Sequence, residues 1–320
     1  MRASSRSLNG RIGGSLAALG LVAALVAGCG GPSSAPSSAP SSAGRDPVSV
    51  VGAENEYANV LAQIGGRYVR AIAIMSNPNT DPHTFEASTV DAREVAGAAL
   101  IVQNGLGYDD FMARLEGASP SSSRIVLTAA DIVGLPASTA NPHIWYGPGN
   151  MAKVAARIAK ALEQLQPSHR AYFAAHLKAF QASLGAWRKS LARLRADGAG
   201  KSVAVTEPVA DDLLQAAGLR IATPWAFQAA VMNGQDPAPQ DVATEDALIE
   251  DAKVSVLVYN LQAVDASTES LMALARQHQV PVVGVYETMP VGYNYQRWMT
   301  TETEALDGAI VHHRSEVKLP

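Results

Sequence analysis

The chain has one cysteine, Cys29, so it cannot form an internal disulfide, and its stability must come from core packing. It also lacks clustered basic residues. With 25 Lys+Arg against 29 Asp+Glu and a formal net charge of −4, it shows none of the electrostatic footprint of a nucleic-acid binder. Aromatic residues make up only 6% of the sequence, which gives little support to a carbohydrate-stacking surface. The His-Glu-x-x-His signature of helical zinc hydrolases does not occur. A membrane-spanning helix needs about 20 strongly apolar residues. The run from Ile12 to Ala27 is shorter, rich in alanine, and broken by Gly13, Gly14 and Ser15.

What is present at the N-terminus has the layout of a signal peptide over residues 1–28: Arg2, Arg6 and Arg11 stand before the apolar run. Its end, Leu25-Val26-Ala27-Gly28-Cys29, resembles the bacterial lipobox, in which the cysteine becomes the lipidated first residue. From Cys29 to residue 46 the composition is dominated by Gly, Ser, Pro and Ala. Such a stretch buries too little apolar surface to offset its ordering entropy, and a disordered tether is expected. The folded part is expected to start near Pro47, leaving roughly 270 residues, enough for two lobes.

Short β-branched runs alternate with amphipathic stretches, which predicts α/β units on mainly parallel sheets. Strands are expected at Val48–Ala53, Val69–Ile74, Ala99–Asn104 and Arg124–Leu127, with helices near Glu56–Ile64, Val90–Ala96 and Tyr108–Leu115, giving a first lobe over 47–150. Apolar residues then recur at helical spacing from Val154 through Ile158, Leu162 and Leu165 to Leu194, interrupted near Pro167. This predicts a helical connector over 151–198. Strands at Ser202–Thr206, Arg220–Thr223, Val254–Tyr259 and Val280–Tyr286, with helices near Val209–Ala217, Val242–Asp251, Ser267–Gln277 and Gln296–Leu306, make a second lobe over 199–311. Residues 312–320 look like a polar, frayed tail.

Two segments repeat one idea. Asp81-Pro82-His83-Thr84-Phe85-Glu86 and Asn141-Pro142-His143-Ile144-Trp145-Tyr146 each place a histidine directly after a proline and near an aromatic. Proline fixes its own φ and pushes the preceding residue extended, so each imidazole is offered from a stiff loop, as two ligands of one metal site would be. Open α/β sheets bind beyond the carboxyl ends of their strands, and two acids stand there: Glu207 after Val203-Ala204-Val205-Thr206, and Glu287 after Val282-Val283-Gly284-Val285-Tyr286. Each also has a local reading, Glu207 as a first-turn acid of the following helix and Glu287 as an ion-paired loop acid. As a quartet, His83, His143, Glu207 and Glu287 suit zinc, iron or manganese. Calcium and magnesium prefer oxygen alone, and Cu(I) would want sulfur.

Asn77-Pro78-Asn79-Thr80-Asp81-Pro82-His83-Thr84-Phe85-Glu86, Val102-Gln103-Asn104-Gly105-Leu106-Gly107-Tyr108-Asp109 and Asn141-Pro142-His143-Ile144-Trp145 together resemble the metal-binding solute-binding lipoproteins of bacterial ABC importers, the zinc/manganese (ZnuA/TroA-like) family. The likeness covers nearly the whole mature chain. It implies two α/β lobes joined by a single long backbone helix, with a four-ligand site for zinc or manganese between them. It also implies a non-enzymatic monomer, lipid-anchored through Cys29 at the outer face of the cell membrane, that delivers its ion to an importer permease. His83 and His143 match the family's two first-lobe histidines. Glu207 matches a third position that is histidine in many zinc binders and glutamate in many manganese binders, and Glu287 a fourth that is usually aspartate. Glu287 departs from the pattern by one methylene, and no His-rich acidic loop lies between His83 and His143, so the metal stays open between zinc and manganese.

Other residues have two readings. Asp81, Glu86 and Asn141 are close enough in sequence to accept the second N–H of a ligating imidazole. Glu54-Asn55-Glu56-Tyr57 could line the cleft or simply begin a helix with acids in its first turn, and Asn260 is a similar case. Trp145 is expected to shield the site, and Trp225 and Trp298 to pack in lobe cores. His169, His176 and His278 are expected to play surface or packing roles on helices, and His312-His313 could bind metal adventitiously. A different class, a secreted zinc-dependent metallohydrolase, would ligate zinc with three of the four groups and use the remaining glutamate as general base on a metal-bound water.

Overall fold

A computed structural model describes residues 47–77 and 85–320; Cys29 with the leader and tether, and the segment carrying Asp81 and His83, lie outside the described residues. The first lobe runs β1 (Val48–Glu54), α1 (Asn55–Gly65), β2 (Val69–Met75), α2 (Thr89–Gly97), β3 (Leu100–Gln103), α3 (Phe111–Ala118), β4 (Ile125–Thr128) and α4 (Ala129–Val133). Its strands are parallel in the order β2-β1-β3-β4. Val50, Val51, Ala53, Leu100, Ile101 and Val102 are all buried, as expected where helices cover both faces of a parallel sheet and the strands become continuously apolar.

The connector is helical and broken where proline predicts. Helix α5 (Asn150–Leu165) buries Val154, Ile158 and Leu162, and a short 3-10 turn at Pro167–His169 follows. Helices α6 (Arg170–Ser183) and α7 (Gly185–Gly198) are separated by Leu184 alone. Its backbone stays in the right-handed helical region, so the two form one long bent helix. The second lobe runs β5 (Ser202–Val205), α8 (Asp211–Ala216), β6 (Arg220–Ile221), α9 (Trp225–Met232), α10 (Pro239–Glu250), β7 (Leu257–Asn260), α11 (Ala266–Gln277), β8 (Val282–Val285) and α12 (Tyr295–His312). Its order, β6-β5-β7-β8, repeats that of the first sheet, again all parallel. In each sheet the chain leaves the first strand to one side and returns on the other. The β1/β3 and β5/β7 ends are therefore switch points, where a crevice opens.

Polar bonds between elements of the two halves fix that crevice. The Asn55 amide donates to the Met289 carbonyl and accepts from its N–H, both at 2.8 Å, much as a strand neighbour would. Asn59 accepts from the Tyr295 N–H at 3.1 Å, and Trp187 Nε1 on α7 donates to Thr303 Oγ1 on α12 at 3.0 Å.

Three expectations need correction. The tail is packed, not frayed: Glu316 bridges Val283, the Gly284 N–H donates to the Glu316 carbonyl at 3.0 Å, and a Cβ on Gly284 would lie 2.0 Å from the Val317 carbonyl oxygen. The last residues lie across β8 because Gly284 leaves room for them. Trp225 is 43% exposed and not in a core, because it opens α9 at the surface while Phe227 and Val231 point inward. Helix α9 itself was not expected, since its eight residues carry apolar side chains on nearly every face and show no helical period.

Gly52 shows how tightly β1 meets α1: a Cβ there would lie 2.3 Å from the Ala58 backbone nitrogen. Gly52→Ala is expected to destabilise the chain by about 3 kcal/mol or more, since backbone cannot yield as a side chain does. Urea unfolding with an unchanged midpoint would contradict this.

Candidate metal centre

His143 stands in the loop after α4, directly before the short 3-10 turn Ile144–Tyr146. Asn141 orients it, accepting from the His143 backbone N–H at 3.0 Å and lying 2.8 Å from Nδ1. The amide oxygen can only accept, so Nδ1 carries the proton and the Nε2 lone pair is left for an ion. Asn141 is anchored in turn by donating Nδ2–H to the Pro208 carbonyl at 2.8 Å, and the Pro142 carbonyl accepts from Asn104 Nδ2 at 2.9 Å.

The second lobe brings the carboxylates. Glu207 follows β5 and stands before the 3-10 turn Pro208–Ala210 without capping it, so its side chain is spent on the cleft and not on the helix end. Glu287 follows β8. Its N–H and that of Thr288 both donate to Gln262 Oε1, at 2.7 and 2.9 Å, which fixes the backbone that carries this carboxylate. Asn260 ends β7 between them, and its single Nδ2 donates to Glu207 Oε2 at 2.5 Å and to Glu287 Oε1 at 2.7 Å. Tyr108 donates to Glu287 Oε2 at 3.1 Å, and His143 Nε2 lies 3.1 Å from that same oxygen. Ligand atoms of His143, Glu207 and Glu287, all buried, lie within 4.8 Å of one another.

That donor set fits a divalent ion. Two buried carboxylates sharing one amide donor repel each other unless one takes a proton or a positive charge lies between them, and a neutral imidazole nitrogen with carboxylate oxygens is what zinc and manganese accept. Trp145, only 1% exposed, stands edge-on to His143 with ring centroids 5.4 Å apart and keeps water from that side.

Further buried acids lie close enough to the cluster to interact with it. Glu54 and Glu56 are wholly buried, and their carboxyls are pushed well above the usual range, first by desolvation and then by the charges around them, Asp109 and Glu56 for the one, Asp109 and Glu287 for the other. Asp109 is raised to about 6, chiefly by burial, although the N–H groups of Asn104 and Gly105 that it accepts pull the other way. The same causes, burial first and Glu287 next, raise the Tyr108 phenol and keep it a neutral donor.

The structure thus gathers three of the four expected ligands, and His83 lies outside the described residues. Asn141 and Asn260 take up the roles weighed for them, while Glu86 is exposed. Glu54 and Glu56 face inward despite their place at a helix start. Tyr108, Asn104 and Gln262 were missed as site residues. The available signal was Gly105-Leu106-Gly107, whose three positive φ angles (85°, 60° and 80°) make the turn that delivers Tyr108, a residue expected to begin a helix. His312 and His313 close α12 at the surface, far in sequence from the cluster.

Asn141→Ala is expected to lower metal affinity about 10- to 100-fold, the usual effect of losing the group that orients a ligating imidazole. Competition with a chelator measures it, and an unchanged constant would show that Asn141 does not set the tautomer.

Comparison with known proteins agrees with this fold. The profile of a family described as "zinc-uptake complex component A periplasmic" (ZnuA) matches residues 50–309. A Treponema pallidum (strain Nichols) protein, named as a candidate metal-binding protein, is 27% identical over 146 residues, 40% of this chain and 46% of its own. The chain thus spans about half or less of the length of the curated relatives it matches. Among solved structures, the periplasmic zinc-binding protein TroA from Treponema pallidum superposes with a TM-score of 0.71 at 17% identity, covering 83% of this chain and 99% of that one. The Pseudomonas aeruginosa FpvC protein in complex with Mn2+ gives 0.70 at 20% identity over 83% and 99%. At such identities the two structures speak for the fold.

Proposed function

The chain belongs to the zinc-uptake complex component A periplasmic family, and from that premise we propose that it captures a divalent transition ion, zinc or manganese, outside the membrane and passes it to an ABC importer permease. The observation that carries this reading is the buried convergence of His143, Glu207 and Glu287. His83 is the proposed fourth ligand, because its Asp-Pro-His segment is the twin of the Asn-Pro-His segment that presents His143. Four protein ligands close the coordination shell and leave no position for a reacting water, which suits capture and not hydrolysis. Glu207 and Glu287 make the set richer in oxygen than a typical zinc site, which favours manganese, while zinc stands higher in the general affinity order.

Lipid on Cys29 would hold the protein at the outer face of the membrane, with residues 30–46 as tether. One acyl chain binds only marginally, whereas the several chains of a bacterial lipoprotein bind lastingly. Among the described residues no helix is long and apolar enough to cross a membrane. The unit that works is a monomer, since both lobes of one chain supply the ligands.

Elemental analysis of protein purified without added metal, followed by zinc–manganese competition, tests the reading. One equivalent of transition metal per chain is expected. Saturation should stabilise the fold by RT ln(1 + [L]/Kd), about 4 kcal/mol at a thousandfold excess over Kd. A chain that retains neither metal and melts the same with either would overturn it.

A further inference from the structure

Glu302, on α12, is wholly buried and belongs to none of the ligand loops. Its Oε2 lies 2.6 Å from Tyr146 Oη, and its Oε1 accepts from Trp298 Nε1 at 2.6 Å. Tyr146 Oη also lies 2.8 Å from the Tyr286 carbonyl oxygen and 3.3 Å from the Tyr286 nitrogen. Tyr146 stands shortly after His143 and Tyr286 directly before Glu287. One phenol therefore ties the loop that carries the imidazole to the loop that carries a carboxylate.

Proton counting decides how it does so. A phenol has one proton, and a carbonyl oxygen can only accept. If Tyr146 donates to Tyr286, its contact with Glu302 is a hydrogen bond only when the carboxyl supplies the second proton. An ionised Glu302 would compete with the carbonyl for the single phenolic proton.

We infer that Glu302, as a neutral carboxylic acid, is a positioning residue for the metal site: it donates to Tyr146, Tyr146 donates to the Tyr286 carbonyl, and the His143 and Glu287 loops are held at ligating distance. The surroundings agree. Burial lifts the Glu302 carboxyl to about 8, against the pull of the Tyr146, Trp298 and Tyr286 hydrogen bonds. Among the described residues, the other titratable groups that interact with this network include the Tyr286 phenol and, beyond Tyr146, the Glu287 carboxylate, and neither is a cation that would favour ionisation of Glu302. Above that range the phenolic proton turns to the carboxylate, the Tyr286 carbonyl loses its donor, and the ion leaves faster.

The inference rests on the metal reading above, and zinc release into excess chelator separates the two. The wild type, Glu302→Gln, Glu302→Leu and Tyr146→Phe are compared at pH 7 and pH 9, with the metal-free melting temperature of each as a folding control. Glutamine keeps a donor for Tyr146 and an acceptor for Trp298. Its release rate should match the wild type at pH 7 and stay flat at pH 9, where the wild type releases about tenfold faster. Glu302→Leu and Tyr146→Phe should release about tenfold or more faster already at pH 7, the scale of losing an outer partner of a ligand. Glu302→Gln releasing as fast as Glu302→Leu, or Tyr146→Phe matching the wild type, would overturn the inference. If the leucine variant does not fold, the other two decide. A wild type that binds no zinc or manganese would instead overturn the metal reading itself.

Discussion

His143→Ala is expected to weaken zinc or manganese binding by more than the 10- to 100-fold typical of outer partners, and to abolish the metal-induced rise in melting temperature. The imidazole is the only nitrogen ligand among the gathered three, and its Nε2 lies 3.1 Å from Glu287 Oε2. Without it, Glu207 and Glu287 still share the Asn260 amide but lose the one nitrogen donor of the gathered three. The metal-free protein should suffer too, by on the order of 3 kcal/mol, because truncating a wholly buried imidazole leaves a cavity and takes the Nδ1–H from Asn141. Urea unfolding in chelator and melts with added metal measure the two effects separately. His312→Ala, at the exposed end of α12, is the control that should change neither. A full metal-induced shift surviving in His143→Ala would contradict the assignment.

Opposite pH dependences of the metal-free stability and of the increment gained from metal form the second large effect. Burial is the first cause that raises Asp109 to about 6, Asp211 to about 7, and Glu245 and Glu302 to about 8 in the folded chain. In the unfolded chain these acids titrate near their ordinary values of about 4. Between about pH 5 and pH 8 the folded state therefore holds more protons, and the slope of unfolding free energy against pH is negative. The stability that comes from these neutral acids is whole below their unfolded pKa values and is lost as pH climbs through the folded ones. Metal-free protein should melt several degrees higher at pH 5.5 than at pH 8, for a difference on the order of a few kcal/mol. Ligands must be deprotonated to bind, so the increment gained from metal should grow over the same interval. Metal-free stability that rises from pH 5.5 to pH 8 would show that these acids are ionised in the folded chain.

The three clustered candidates were legible because each stands where backbone rules leave few alternatives. Proline before His143 fixes its loop, and Glu207 and Glu287 end strands whose apolar continuity announces burial at the sheet's carboxyl edge. Asn260 was visible for the same reason. Tyr108 was not, because left-handed turns at Gly105, Leu106 and Gly107 redirect a segment whose apolar spacing looks helical. Glu54 and Glu56 had two readings, cleft-lining or first-turn acids, since a sequence shows the helix start but not that its first turn is pressed into the crevice. The packed tail was hidden for a related reason: its anchor is the space above Gly284, a property of the partner strand and not of residues 312–320. The bend at Leu184 carries no proline or glycine of its own; only its follower, Gly185, hints at it.

Anomalous diffraction at the zinc or manganese edge, from metal-loaded crystals, tests the convergence of these side chains most directly. The expected map has one strong peak about 2.0–2.2 Å from His143 Nε2 and from carboxylate oxygens of Glu207 and Glu287. A peak seated elsewhere, at His312 and His313 for example, with those three side chains uncoordinated, would contradict it.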